Sequence, residues 1–519
     1  MSTTPTETLF YKTITYMIKN FKDVLINGNN STFFFLGGGL PYANNDTEII
    51  TVNDCTSCEN SVWDSMIAAK KIFPNESELI IPRKTWISGR IYKDFDDTLT
   101  TEYLNTDDSA NNTYSMCIIN SESNVYKCVF NNHGITSTDE PVGDYTIADG
   151  FIETLDGYVW KYMYNVKSTN KFLSLDWMPV PYNANNQTSD VEYNINPSYI
   201  LEGSLNKVVV EYPGSGYVNS TITVSEFSAG DTYLQLSSLA NVAANMSISG
   251  TGITNGTYIS SISEVYNRIY LSIPTVSSGG GSSHPVDINT RVVITGDGSG
   301  CQAEATLSGS SIGYITVTIM GSGYTYADVA VYGTGSGFVG RSILPPKYGH
   351  GILPAVEFTS NAIMINKKFG EIDSTENGVL PIDISFRQYG IMINPHQFNS
   401  GEILQYQDAD DIISQTYDLT VEGGSPYTIG SYVYQGPVSS PTFYGYVLSQ
   451  DYYTIRIVNY NGTPTNGVLL TDGTIFRPVT NITSPGLEKY SGDIIYVKNI
   501  NKVTRITDQA EEIRIIIEV

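Results

Sequence analysis

The chain is 519 residues long; 41% of its residues are hydrophobic and only 16% are charged, against roughly 25% charged residues in an average soluble domain. Its formal net charge of −25 at pH 7 argues against a nucleic-acid partner or an anionic membrane surface, because phosphates repel such a chain. The length predicts about three or four domains. The 38 tyrosines suit half-buried strands and protein interfaces.

The five cysteines are too few to cross-link a chain of this length. Cys55 and Cys58 form one Cys-x-x-Cys pair, without a second Cys or His pair at zinc spacing. We expect reduced thiols in a loop, as in a protein made in a cytoplasm; a redox site or half of a metal site is the alternative. The N-terminal residues lack the pattern of a secretory signal, and no apolar run approaches the ~20 residues of a membrane span.

The first elements of the chain are predicted to be helix, strand and helix. Thr4-Pro5-Thr6-Glu7 resembles a capping box with proline at the first helical position, and apolar residues then recur at helical spacing from Phe10 to Leu25. Residues 32–36 predict a buried strand, and Ser61 to Ile72 predict a second short helix.

Strands dominate from there on, with Leu79–Pro82 and Met116–Phe130 as candidates. The turn dipeptide Asp156-Gly157 precedes a strand in which five large residues alternate onto one face: Tyr158, Trp160, Tyr162, Tyr164 and Val166. A face this aromatic favours a large contact surface over a catalytic pocket.

Residues 200–345 contain an internal repeat. The segment Val208–Tyr217 returns as Ile315–Tyr324, and Val292–Gly300 returns as Val329–Gly337. Each copy reads as strand, glycine turn, strand, which predicts a β-domain inserted into the surrounding one.

The last third of the chain is also predicted to be rich in strands. Residues 384–393 predict a core strand, and 401–485 predict a small β-barrel or hairpin module rich in Gly, Tyr and Thr. In the final strand Ile513, Ile515 and Ile517 share one face, so we expect it to be paired in a sheet.

Candidate chemistry is weak throughout. The glycine-rich segments lack the Lys-Ser/Thr ending of a phosphate loop, and the four histidines stand outside nucleophile or metal motifs. The acidic runs Asp94–Asp97 and Asp107-Asp108 predict solvated turns rather than a calcium site. A glycosidase carboxylate pair stays open as the alternative, because its separation cannot be read from sequence.

Six short segments together resemble the dimeric baseplate wedge subunit of T-even-like contractile-tailed bacteriophages. They are Ile80–Trp86, Val125–Cys128, Asp156–Tyr162, Phe386–Gln388 with Ile393–Pro395, Ser491–Asn499 and Asp508–Ile513. The resemblance covers about 1–195, 350–400 and 485–519. The blocks 200–345 and 401–485 look instead like the glycine-tyrosine β-repeats of phage tail and fibre proteins.

The resemblance implies a virion protein of the tail baseplate, synthesised in the host cytoplasm, without enzymatic activity or cofactor. Members form homodimers that bridge wedge proteins, connect toward the tail fibres and transmit the rearrangement that triggers sheath contraction. A receptor- or glycan-binding tail protein, or a depolymerase, is the alternative function.

Five residues of the resembling segments are candidate core or interface positions: Arg83, Trp86, Tyr158, Trp160 and Arg387. Plain core packing is favoured for the last four. Arg83 could be a buried ion-pair partner, because guanidinium donates as a fork, or an exposed surface charge.

The sequence therefore predicts an α+β, mainly β fold. We expect a discontinuous core wedge domain formed by 1–199, 346–400 and 486–519. An inserted β-repeat domain would occupy 200–345, and a small β module would occupy 401–485.

Overall fold

The computed structural model describes most of the chain and is dominated by strands. The described residues are 5–24, 30–53, 55–96, 99, 104–143, 150–167, 169–182, 191–192, 203–205, 207–282, 284–346, 349–369, 380, 384–404, 412–506 and 511–518. The predicted cap residue Thr4 and residues 508–510 of the last resembling segment lie outside them. The predicted class, α+β and mainly β with barrel-like parts, is confirmed.

The helices are α1 Pro5–Lys22, α2 Thr56–Ser65 and α3 Pro354–Glu357. The strands are β1 Thr32–Gly37, β2 Met66–Lys71, β3 Ser77–Pro82, β4 Ile91–Tyr92, β5 Thr113–Tyr114, β6 Cys117–Ile119, β7 Asn124–Phe130, β8 Phe151–Glu153, β9 Val159–Val166, β10 Trp177–Pro179, β11 Val191–Glu192, β12 Lys207–Ser215, β13 Ser220–Ile222, β14 Tyr233–Gln235, β15 Ser247–Ser249, β16 Ile259–Ser263, β17 Arg268–Leu271, β18 Val286–Asn289, β19 Arg291–Gly296, β20 Ser299–Ser308, β21 Ser311–Ser322, β22 Ala327–Tyr332, β23 Ser336–Ile343, β24 Ala362–Phe369, β25 Ser385–Ile393, β26 Ile413–Ser414, β27 Tyr417–Val421, β28 Tyr432–Gln435, β29 Phe443–Gln450, β30 Thr454–Gly462, β31 Leu469–Thr471, β32 Phe476–Thr483, β33 Asp493–Thr504 and β34 Glu511–Glu518.

The chain divides into two units. The first comprises Met1–Thr15 and Ile80–Ser360, and the second comprises Tyr16–Leu79 and Asn361–Val519. The boundaries predicted from sequence differ from this division and stay predictions.

In the second unit, an antiparallel sheet runs in the order β26-β2-β1-β25-β33. The predicted strand β1 is confirmed and is buried along its whole length. The helix predicted for Ser61 to Ile72 is wrong: α2 ends at Ser65, and Met66–Lys71 form β2. The alanines and lysines of that segment favour a helix locally, but pairing between β1 and β26 overrides this preference.

The C-terminal strand of this unit pairs as predicted. β34 runs antiparallel to β24 from Glu511 to Glu518. Ile515 is buried and its neighbours Arg514 and Ile516 are exposed, so the period of two places one face inward.

A closed barrel lies within the predicted 401–485 module. Its strand order is β27-β30-β29-β28-β31-β32, and its interior is filled by side chains such as Leu419, Val433 and Ile455. The two ends of this segment are joined by the buried side chain of Gln415: its Nε2 donates to the Leu487 carbonyl (2.9 Å), and its Oε1 accepts from the Leu487 N–H (3.2 Å).

The first unit contains a sheet in the order β11-β9-β7-β6, with β8 also paired to β9. Met116–Phe130, predicted as strand, is a hairpin of β6 and β7. The Asn120 side chain makes the turn by accepting from the N–H groups of Glu122 and Asn124. Every residue of β7 is buried.

The predicted repeat is present as a six-stranded sheet in the order β22-β19-β20-β21-β12-β23. The end of β12 pairs with the start of β23, and the end of β21 pairs with the start of β20. Between β12 and β19, two three-stranded sheets, β13-β18-β15 and β14-β17-β16, share a core of their own.

The two copies of the repeat use different side chains for the same hydrogen bond. In one copy, the Thr334 hydroxyl accepts from the Val218 N–H at 3.0 Å. In the other, the Asp297 carboxylate accepts from the N–H of Thr325, which is the equivalent of Val218, at 2.8 Å. These hydrogen bonds fix the glycine turns within the domain.

Candidate functional site

The aromatic strand β9 lies in the core of the first unit. Tyr158 and Trp160 are completely buried and stack with ring centroids 5.6 Å apart, and Tyr92 packs edge-on against Trp160 at 5.3 Å. The expected large contact surface is wrong for this face. Both faces of β9 are covered, with only Asn165 half-exposed, so the rings act as core.

Asp156 organises the turn before this strand. One carboxylate oxygen accepts from the Ser137 hydroxyl (3.0 Å) and from the N–H groups of Thr138 (2.7 Å) and Asp139 (3.0 Å). The other accepts from the Thr154 hydroxyl and the Tyr158 N–H. Partial burial acts to raise the pKa of Asp156, but these hydrogen bonds outweigh it and the pKa lies below its ordinary value. The carboxylate is therefore a structural acceptor.

Trp86 and Arg83 are half-buried in the same unit. The Trp86 indole donates to the Ser137 hydroxyl at 3.2 Å, which joins it to the hydrogen-bond network of Asp156. Arg83 donates through Nη1 to the Ser174 carbonyl at 2.8 Å. Both side chains hold neighbouring segments together.

Arg387, in the second unit, is a buried ion-pair partner. Its side chain is 2% exposed, and its guanidinium donates to both oxygens of Asp46 at 2.7 Å. Nη1 donates to the carbonyl oxygens of Gly38 and Gly39. The hydrogen bond from Arg387 lowers the pKa of Asp46. Arg387 therefore lies in the core, which is the position that the sequence favoured for it.

The first unit also holds a buried polar cluster that sequence analysis missed. Lys127 and Glu357 form an ion pair of 2.6 Å, with side chains 0% and 7% exposed. The buried His350 ring lies edge-on to Phe95 at 5.4 Å, and neither ring nitrogen has a hydrogen-bond partner among the described residues. Burial and the ammonium groups of Lys127 and Lys161 hold the pKa of His350 well below its ordinary value, so the ring is neutral.

The carboxylates of Asp94 and Glu211 lie on either side of Arg341. They are one candidate for the glycosidase carboxylate pair that the sequence left open. The guanidinium contacts Asp94 at 2.7 Å and Glu211 at 3.0 Å. Burial raises the pKa of Asp94 despite this contact. Because Arg341 also donates to the carbonyl oxygens of Phe95 and Val129, the arrangement is that of a structural anchor.

A surface of four tyrosines stands on the outside of the barrel. We call Tyr432, Tyr434, Tyr444 and Tyr446 the tyrosine patch. They form two cross-strand pairs on β28 and β29, and the Tyr432 ring lies 5.6 to 5.8 Å from the other three. All four are half-exposed. The sequence analysis did not single out this surface, although the alternation Tyr-x-Tyr on two successive strands could have located it.

The Cys-x-x-Cys pair differs from expectation as well. Cys55 and Cys58 are joined by a disulfide and are not reduced. Cys55 caps α2 and Cys58 lies in its first turn, which brings their Cα atoms to 5.1 Å, within bridging range.

The described part of the chain contains no group of three or more His, Cys, Asp or Glu side chains placed to hold a metal ion. Among the same residues, no helix is both long and apolar enough to cross a membrane. In comparisons with known proteins, no family model and no curated protein matches this chain.

Proposed function

We propose that this chain is a structural subunit of a contractile phage tail baseplate, which acts by binding other proteins and not by catalysis. The observation that carries the proposal is the set of six short segments, in order along the chain, that resemble the dimeric wedge subunit of T-even-like phages. On this proposal the protein forms a homodimer, bridges wedge proteins, contacts tail-fibre proteins, and transmits the rearrangement that triggers sheath contraction.

The positions of the resembling residues support a framework role. Asp156, Tyr158 and Trp160 fix a turn and a core strand, and Arg387 ties a loop to a buried sheet strand through Asp46. Residues used in this way specify a fold and not a reaction, as expected of segments that preserve a scaffold.

The tyrosine patch supports protein binding. Tyrosine is enriched at protein interfaces because its ring buries a large area with few rotatable bonds and its hydroxyl can still hydrogen-bond. Clustered aromatic residues carry most of the affinity at many interfaces. The patch lies in the block where the chain departs from the wedge family, so we assign to it a contact specific to this protein.

The first test is assembly. Purified protein should have twice the mass of one chain by light scattering, and cross-linking of intact tails followed by mass spectrometry should join it to other baseplate proteins. A monomer that is absent from purified tails would contradict the proposal.

The second test concerns the tyrosine patch. Y432S combined with Y446S should weaken co-assembly with the baseplate partner while leaving the barrel folded, because both rings stand outside the barrel core. The matched control is Y452S combined with Y453S, which removes two rings that are 66% and 54% exposed on the same barrel but outside the patch. Equal effects of the two double variants would contradict a specific contact.

Glycan binding or cleavage is the second candidate. The carboxyl groups of Asp94 and Glu211 both contact Arg341, and glycoside hydrolysis uses a pair of carboxyl groups that flank the scissile bond. Saturable binding or cleavage of surface polysaccharide by the isolated protein, lost in D94N, would favour this candidate over the structural role.

A further inference from the structure

We propose that Cys55 and Cys58 are a redox-active pair that undergoes thiol–disulfide exchange with external dithiols, with Cys55 as the reacting sulfur. The bonded pair opens the ten-residue helix α2. Cys55 is exposed and Cys58 is half-exposed. This inference is independent of the proposed role in a baseplate.

The local geometry favours Cys55 as the nucleophile once the pair is reduced. Its sulfur accepts a hydrogen bond from the Cys58 N–H at 3.2 Å, and it stands at the positive end of the α2 dipole. Both interactions stabilise a thiolate over a thiol. The Ser57 hydroxyl, 3.4 Å from the same sulfur, is a further donor within reach.

The remaining cysteines do not compete for this chemistry. Cys117 and Cys128 are buried, and burial raises the pKa of both thiols. Cys301 is half-buried and burial raises its pKa as well. The Cys55–Cys58 pair is therefore both accessible to solvent and placed where a Cys55 thiolate is stabilised.

The external dithiol supplies the two electrons that reduce the Cys55–Cys58 disulfide. A thiolate of the external dithiol attacks the Cys55 sulfur, forms a mixed disulfide and breaks the bond to Cys58, which leaves as a thiolate and takes up a proton. The second thiol of the reagent then attacks its own sulfur in the mixed disulfide and releases Cys55. Two electrons pass to the protein, and the dithiol becomes a disulfide.

The rest of α2 stays anchored during this exchange. Trp63 is 1% exposed, and the Asp64 carboxylate binds the Lys489 ammonium at 2.9 Å and the Tyr490 hydroxyl at 2.7 Å. The packed end of the helix therefore does not depend on the disulfide, so α2 and its N-terminal dipole stay in place when the pair is reduced.

The test is made on the full chain carrying C301S, which removes the half-buried thiol. Native protein is treated with dithiothreitol, freed of it, and reacted with a small aromatic disulfide at pH 6. Cys55 should react at least about tenfold faster in the native protein than in the urea-unfolded protein, because only the folded helix lowers its pKa. Because Cys58 resolves the mixed disulfide to the Cys55–Cys58 bond, the label is located in C58S, where peptide mass spectrometry should place it on Cys55 and leave Cys117 and Cys128 unlabelled.

Two variants sharpen the experiment. C58S should trap a stable mixed disulfide on Cys55, whereas C55S should react slowly, with serine still able to cap the helix. E59Q removes the carboxylate in the first turn of α2 and should speed the reaction further. Equal rates in native and unfolded protein, or labelling of Cys55 only together with the buried cysteines, would overturn the proposal.

Discussion

Replacing Lys127 by methionine would remove one half of a buried ion pair and leave the other half in place. The ammonium lies 2.6 Å from the Glu357 carboxylate and 4.4 Å from the centre of the Phe95 ring. Methionine keeps the apolar stem against that ring but leaves a carboxylate, only 7% exposed, without a counter-charge. Breaking a buried pair in this way costs about 3 to 5 kcal/mol.

That loss should be visible in hydrogen exchange. Because one factor of ten corresponds to about 1.4 kcal/mol, the amide protection of β7 should fall by between about 10² and 10⁴-fold in K127M. The control is K127M combined with E357Q, which removes both charges and keeps an acceptor at 357. We expect it to recover most of the protection, because burial already disfavours the Lys127 charge and lowers its pKa. Protection in K127M within about threefold of wild type, or a double variant less stable than the single one, would refute this reasoning.

The other predictions concern a turn, a histidine and an arginine. G157A should destabilise more than G134A in urea unfolding: both glycines have positive φ, but a Cβ at 157 would lie 2.7 Å from a side-chain amide, whereas one at 134 meets nothing within 4 Å. Alanine at 134 should therefore cost only the about 1 to 2 kcal/mol of left-handed backbone. His350 is neutral when folded, so the unfolded chain binds more protons below its ordinary pKa of 6.5; stability should fall by about 1.4 kcal/mol per pH unit below that value, and H350F should lack this part of the slope. R387K should lose about 2 kcal/mol or more by chemical denaturation, because a lysine lacks the planar fork that donates to both Asp46 oxygens and to the Gly38 and Gly39 carbonyls together; an unchanged midpoint would contradict this.

Local sequence pattern correctly predicted the elements in which the observed secondary structure matches the local hydrophobic pattern. The apolar run at Thr32–Gly37 and the alternating isoleucines of β34 are strands because their burial follows their period. Met66–Lys71 was predicted wrongly because its preference is helical, and only the neighbouring strands make it extended. A single sequence carries no signal for that neighbourhood.

For the candidate site residues, too, local sequence pattern predicted burial but not the partners that the buried groups contact. Arg387 was identified as a core candidate, but its partner Asp46 is distant in sequence and no local pattern pairs the two. Lys127 and Glu357 are separated by 230 positions, and their pairing depends entirely on how the sheet and α3 come together. Period and propensity indicate which side of an element is buried, and they do not indicate which buried groups meet.

The hydrogen bonds between Gln415 and Leu487 have a consequence for how such a protein can change. They hold the start and the finish of the barrel segment side by side, and the entropic cost of closing such a segment grows only slowly with its length. Its strands form a closed ring and leave no edge for the flanking sheet to complete. A shorter, longer or unrelated module could therefore replace the barrel at this junction and present a different outer surface without redesign of the flanking sheet.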